Sequence, residues 1–238
     1  MSIKNPSILV IVISAPSKIN RWNYEKEIWE KYANEGKKYN IDVVFTECHE
    51  NFTIKTACKE SYQPGIFQKT ILTLKRYPNY DFYVRTNLST FYIFKHLQYY
   101  IKKKLNNSNI PMAGGWSFFT FFSGTGIVLN QLAKNLLVEQ GTKPIHFDNA
   151  NIADDVLIGK ILYTSNVQMQ PDNHTNSFIY VYNNSLSYDA TNMNLSFQRQ
   201  LRQIKRMNYP GIRLRLDNNE NLYKEITARL LKHFYGKD

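Results

Sequence analysis

Between Ser7 and Ser14 the chain is an unbroken run of apolar, mostly β-branched side chains that stops at Ala15-Pro16-Ser17. Apolar at every position rather than every second one, this run predicts a central parallel strand buried on both faces. Asn20 to Gly36 then sets Trp22, Ile28, Trp29, Tyr32 and Ala33 among charges at helical spacing, which predicts a helix with Asn20 as N-cap and Gly36 at its C-terminal end. Ile41 to Cys48 predicts a second strand. Gln63-Pro64-Gly65 breaks the chain before a helical pattern from Ile66 to Tyr77, Pro78 stops it, and Asp81 to Arg85 predicts a third strand. A helix from about Thr90 to Lys104 follows, with Phe94, Leu97, Ile101 and Leu105 on one face.

Past residue 111 the pattern changes. Met112 to Asn130 is dense in Gly, Phe and β-branched residues and predicts short strands, with Gly114-Gly115 and Gly124-Thr125-Gly126 marking close backbone approaches. A helix through Leu132 to Glu139, a loop from Gly141 to Asp148 and a helix starting at Ala153 or Asp154 come next. The tail combines Asn-rich loops, Asp172 to Thr191, with two basic segments, Arg199 to Arg215 and Lys224 to Lys232, the second an amphipathic helix. With no repeat and no obvious linker, the 238 residues are read as one α/β domain built on a doubly wound, mostly parallel sheet. In such sheets ligands bind beyond the carboxyl ends of the strands, so the segments after Ser14, Cys48 and Arg85 are where a site is expected.

Composition narrows the partners. Thirty Lys and Arg against 19 Asp and Glu give a net charge of +11, which attracts polyanions of any kind: nucleic acid, an anionic membrane surface or a phosphate-bearing small molecule. Part of the excess, such as Lys102 to Lys104, reads as solvated surface. A nucleic-acid-binding protein would interleave aromatic and basic residues on one face, and Arg199 to Arg215 contains only Tyr209, with Phe197 just before it, so no nucleic-acid partner is expected. The run from Ile8 to Ile13 is too short to span a bilayer. Cys48 and Cys58 form no zinc-ligand spacing with histidine and are read as free thiols in a reducing compartment; with no signal peptide or anchor in view, the protein is expected in the cytoplasm, the host's if it is viral.

Two segments could carry chemistry. In Asn151 to Leu162 the adjacent Asp154 and Asp155 open an apolar-periodic helix, where a carboxylate caps unpaired N–H groups and complements the macrodipole. Only one of two neighbours can be the N-cap, and the other is free to act as a general base. In Tyr80 to Phe91 a strand ends in Arg85, followed by Thr86, Asn87 and Ser89, a plausible contact for a diphosphate or ribose, or else a set of caps for the next helix. Neither GxGxxG nor a Walker A sequence is present.

Taken in order, five segments resemble the fringe and β-1,3-galactosyltransferase group of inverting GT-A glycosyltransferases and their relatives in large DNA viruses. They are Ser14-Ala15-Pro16 with Arg21 and Trp29; Glu60 to Ile66 leading to Lys69-Thr70; Tyr80 to Phe91; Phe122 to Leu129; and Asp154 to Gly159. The resemblance covers most of Ile8 to Gln170. It implies a GT-A, Rossmann-like domain whose residues 1–105 form a nucleotide-binding half and whose residues 106–238 form an acceptor and catalytic half with C-terminal helices. It also implies a nucleotide-sugar donor, a UDP-sugar by default, and a glycan acceptor, in a monomer or homodimer without a membrane span.

Residue by residue, the resemblance makes Asp155 the catalytic base and Asp154 its supporting partner. Ser14, Ala15 and Arg21 would hold the base and ribose; Lys69, Arg85 and Thr86 would line the donor site, with Gly124 and Gly126 beside the donor sugar. Where the family carries a metal-binding DxD motif this chain has Asn87, Leu88 and Ser89. Either Mn²⁺ or Mg²⁺ binds weakly through Asn87, Ser89 and the donor phosphates, or Arg85, Arg213 and Arg215 neutralise the leaving diphosphate without metal. Trp116, Phe118 and Phe119 are read as a sugar platform or as core, and His146 and His174 as loop histidines that could add a metal ligand. A catalytically inactive glycan- or nucleotide-binding protein on the same fold is the alternative.

Overall fold

The computed structural model describes residues 5–15, 23–48, 58–105, 109–118, 121–148, 151–172, 178–182, 202, 208, 210–215 and 220–237. At its centre β1 (Ile8–Ile13) lies between β2 (Ile41–Thr46) and β3 (Phe82–Asn87), parallel to both. Every residue of β1 is buried. Its alternate side chains feed two cores: Ile8, Val10 and Val12 pack with Trp29, Tyr32 and Phe94, while Leu9, Ile11 and Ile13 pack with Phe67, Ile71 and Leu157. A strand with a core on each face has no place for a polar side chain, which is why the sequence shows none there. Each such side chain contributes about 1.5–3 kcal/mol of burial.

Helices α1 (Asn23–Tyr32) and α3 (Phe94–Lys104) cover the first face, and α2 (Gly65–Arg76) and α4 (Gln131–Gly141) the second. The short α5 (Pro144–Phe147) adjoins α4, α6 (Asp154–Thr164) joins the second face, and α7 (Glu220–Tyr235) joins the first. Strands β5 (Met112–Phe118), β6 (Phe121–Asn130) and β7 (Gln168–Asp172) complete a six-stranded sheet of order β2-β1-β3-β6-β5-β7, in which β6 runs antiparallel to both its neighbours. The result is the mixed, mostly parallel α/β sheet flanked by helices that the pattern predicts, and it draws strands from both 1–105 and 106–238.

Three expectations need correction. The helix predicted from Thr90 begins at Phe94; Thr90–Tyr92 is instead β4, which joins β9 (Gly211–Arg215) and β8 (Phe178–Tyr182) in a three-stranded sheet of order β4-β9-β8. Thr-Phe-Tyr suits a strand, but its partner lies some 120 residues away in sequence, so local periodicity cannot reveal the pairing. The loop after Gly141 contains α5, opened by Pro144. Cys48 and Cys58 are not free thiols: they form a disulfide, which removes the reason given for a reducing compartment. Among the described residues no helix is long and apolar enough to cross a membrane.

The proposed N-cap Asn20 lies outside the described residues. α1 continues as a 3₁₀ segment, Ala33–Tyr39, which ends at Asn40 in the left-handed region at φ 58°.

Candidate active site

In β1, β2 and β3 the register sets Ile13 opposite both Thr46 and Asn87, so the three carboxyl ends finish at one edge of the sheet. Beyond that edge is a cavity of about 370 Å³, the size of a small-molecule site. Ser14 and Ala15 form its floor, Asn87 and Ser89 one wall, and Glu60 and Lys69 another. Glu25, from the first turn of α1, also lines it. The β3–β4 turn that forms one wall is fixed from behind, because Trp29 Nε1 and the Tyr223 hydroxyl both donate to the Leu88 carbonyl, at 2.8 and 3.4 Å.

The charges at this edge are paired in a definite way. Lys69 is buried; its ammonium donates to the Ser14 carbonyl at 2.5 Å and pairs with Glu60, whose second oxygen accepts from the Cys48 amide at 2.9 Å. Burial pulls the Lys69 ammonium below its ordinary range, and Glu60 opposes that pull. Glu47 accepts from Lys26 at 2.8 Å and from the Ser14 hydroxyl at 3.1 Å. Cys48, tied to Cys58, thus anchors the chain that carries Glu60 to the end of β2.

Arg85 is the hinge between the cavity wall and the two aspartates. Its Nη1 donates to Asn87 Oδ1 at 2.9 Å and to the Gly124 carbonyl at 2.8 Å, and its Nη2 lies 2.5 Å from Asp154 Oδ2. A Cβ at Gly124 would collide with Arg85 Nη1 and come within 3.0 Å of Asn87 Nδ2, so a side chain fits here only if the guanidinium shifts. The close approach at this glycine is therefore made by Arg85.

Neither aspartate is the N-cap of α6: Ala153 holds that position and Asp154 and Asp155 are the first two helical residues. Asp154 is buried against Arg85. Desolvation raises its carboxyl above the ordinary range, with Arg85 opposing and Asp155 adding to the rise. Asp155 is only partly buried; its Oδ2 accepts from the Gly124 amide at 3.1 Å and its Oδ1 from the Val156 amide at 2.9 Å. Two backbone donors thus orient a carboxylate that solvent can reach.

Whether this edge suits a divalent cation follows from Asn87. Arg85 has only donors to offer, so it claims the amide oxygen of Asn87 and turns Nδ2, itself a donor, away from itself. A hard cation needs oxygen ligands, preferably charged ones, and Asn87 with Ser89 presents none that is charged. Among the described residues no three His, Cys, Asp or Glu side chains gather as metal ligands. The residues do not fit the metal that the resemblance implies; an N–H donor suits an anion.

Among solved structures, a glycosyltransferase involved in the glycosylation of the major capsid of PBCV-1 aligns at a TM-score of 0.53 and 8% identity, over 93% of this chain and 98% of that one. The fold is that of a GT-A glycosyltransferase. The galactosyltransferase LgtC, in complex with donor and acceptor sugar analogs, aligns at 0.47 and 9% identity over 93% of this chain and 95% of its own. The glycosyltransferase GlyE of Streptococcus pneumoniae TIGR4 aligns at 0.47 and 8% identity over 98% of this chain and 64% of its own. No protein-family model and no curated protein sequence matches the chain.

On this GT-A frame the residues singled out in the sequence separate into groups. Ser14, Ala15, Lys69, Asn87 and Ser89 meet at the cavity. Arg85, Gly124, Asp154 and Asp155 form a connected cluster that touches it through Asn87. Thr86 points elsewhere: fully buried, its hydroxyl donates to the Thr125 carbonyl at 2.6 Å. Gly126 lies within β6, its carbonyl against the Cα of Gly115, which adopts φ 146°. Arg213 on β9 reaches the Thr90 hydroxyl at 3.5 Å. Trp116 is core. His146, on α5, is held below its ordinary range by burial and by Lys160 and Lys143. Arg21, His174, Phe119 and the side chains of Phe118 and Arg215 lie outside the described residues.

Sequence reasoning missed Glu25 and gave Glu60 no role. Burial lifts the Glu25 carboxyl to about 7, with Arg213 drawing it down. A Glu in the first turn of a helix ordinarily reads as a partner for the macrodipole, so nothing local separates it from Glu27 or Glu30.

Proposed function

We propose that the chain is an inverting glycosyltransferase that moves a sugar from a nucleoside-diphosphate donor, a UDP-sugar, to a hydroxyl of a glycan or glycoconjugate. The observation that carries this reading is Asp155: a solvent-accessible carboxylate fixed by two backbone amides, one edge removed from a nucleoside-sized cavity at the carboxyl ends of three parallel strands. The GT-A fold supports it.

In this mechanism Asp155 takes the proton of the acceptor hydroxyl. The freed oxygen forms a bond to the anomeric carbon, the bond from that carbon to the diphosphate breaks, and the nucleoside diphosphate leaves from the opposite face, so configuration inverts. The leaving diphosphate is met by Asn87 Nδ2 and the Ser89 hydroxyl, with the Arg85 guanidinium behind Asn87. Arg85 acts here as a positioning residue, since its own charge is paired with Asp154.

The test is a screen of nucleotide sugars for binding and for hydrolysis or transfer, with Mn²⁺ and with EDTA, on the wild type and Asp155→Asn. Turnover lost in Asp155→Asn with donor binding retained is the expected result, and binding should persist in EDTA. Donor binding without turnover in either protein would mark a non-catalytic binder. No binding at all would end the nucleotide-sugar reading.

A further inference from the structure

Glu25 and Glu60 line the cavity and Glu47 adjoins it through Ser14; two of the three are satisfied. Glu60 is held by Lys69 and the Cys48 amide, and Glu47 by Lys26 and Ser14. Glu25 differs. It is 9% exposed, it lines the cavity, and among the described residues no hydrogen bond or ion pair engages its carboxyl. Its largely buried carboxyl is steadied by the charge of Arg213 but, among the described residues, by no hydrogen bond, which leaves its oxygens to accept donors from a ligand in the cavity.

The surroundings restrict what those donors can be. Glu60 in the same lining is taken up by Lys69 and the Cys48 amide, whereas Glu25 is itself an acceptor and disfavours a phosphate against it. The donor groups at Asn87 and Ser89 lie on the β3–β4 wall, and the phosphates belong there. Next to Glu25 the ligand must present neutral O–H or N–H groups. A carboxylate has two acceptor oxygens side by side, which the single ring N–H of the uracil in the proposed donor leaves half satisfied and two vicinal hydroxyls fill.

We infer that Glu25 is a specificity-determining residue for the donor nucleoside, its two carboxylate oxygens accepting the vicinal 2′- and 3′-hydroxyls of a ribose. This rests on the nucleotide-sugar reading of the cavity. The raised pKa of Glu25 agrees with it, because two hydroxyls would supply the stabilisation of the ionised form that burial withholds.

Calorimetric titration decides the matter. ADP, GDP, CDP and UDP are titrated into the wild type to find the tightest, and that nucleotide is compared with its 2′-deoxy and 3′-deoxy analogues in the wild type, Glu25→Gln and Glu25→Ala. The wild type should prefer the ribonucleotide by about tenfold or more, and both variants should lose most of that preference, since a site built to pair with a hydroxyl rejects the analogue lacking it. Glu25→Gln keeps the side-chain volume, so it remains informative if Glu25→Ala does not fold. Variants that keep the wild-type ratio of ribo to deoxy affinity, whether or not overall binding weakens, overturn the inference and leave the nucleotide-sugar reading standing. A wild type that binds no nucleoside diphosphate overturns both.

Discussion

Arg85 Nη2 lies 2.5 Å from Asp154 Oδ2, and this ion pair joins the end of β3 to the first turn of α6 with both side chains buried. Through it the strand that forms the cavity wall and the helix that carries Asp155 are held at a fixed separation. Asp154 therefore has a role distinct from that of its neighbour: it anchors the helix end, and Asp155 is left to face solvent.

Breaking this pair on one side should be severe. Asp154→Ala leaves a buried guanidinium and Arg85→Ala a buried carboxyl, and each is expected to cost about 3–5 kcal/mol of unfolding free energy. The double variant Arg85→Met/Asp154→Leu should lose far less than the sum of the two, a non-additivity that urea unfolding of all four proteins would measure.

Gly124→Ala places a methyl group against Arg85 Nη1. Overpacking of this kind costs about 1–3 kcal/mol. Because Gly124 also donates its amide to Asp155, we expect turnover to fall by more than the stability loss explains, with nucleotide affinity changed less. Comparing kcat with KM at a temperature well below the transition separates the two effects.

Glu25 makes stability depend on pH. Its folded value of about 7 lies above the ordinary 4.5, so between these the native carboxyl keeps a proton that the unfolded chain has released. The folded state is thus favoured below pH 4.5 and loses that advantage as pH rises to 7, a change on the order of 3 kcal/mol. Glu25→Gln has no such proton, so the wild type should lose stability relative to this variant between pH 4.5 and 8. Thermal or urea unfolding of both across that range checks the sign.

Cutting the Cys48–Cys58 bridge, by Cys48→Ser/Cys58→Ser or by reductant, opens a loop with a sequence separation of 10. Loop-closure entropy puts the loss at about 2–3 kcal/mol. Because the Cys48 amide holds Glu60, and Glu60 holds Lys69, the double variant should also bind nucleoside diphosphates more weakly, which a titration under oxidising and reducing conditions would show.

Much of the fold was legible because its signals are local. The six apolar residues of β1 need two cores whatever the rest of the chain does, and the helical spacing through α2 and α4 fixes which faces are buried. The candidate site was legible where a motif joins chemistry to a strand end or a helix start, as at Asn87 and Asp155. By contrast β4 failed as a strand in the sequence, since its three residues take their conformation from β9 far along the chain. The disulfide was also invisible, because spacing alone cannot distinguish two thiols that meet from two that do not.

By itself, then, the sequence determined the alternation of strands and helices, the two-sided burial of the central strand and the two short segments that hold the aspartates and Arg85. Only the tertiary structure decided how those segments divide the work. It placed Arg85 against Asp154, turned the oxygen of Asn87 toward Arg85, and set Glu25 at the cavity with no hydrogen bond among the described residues. Backbone periodicity is set by neighbours a few residues apart, whereas the pairing and desolvation of a charge depend on groups that folding brings together from across the chain.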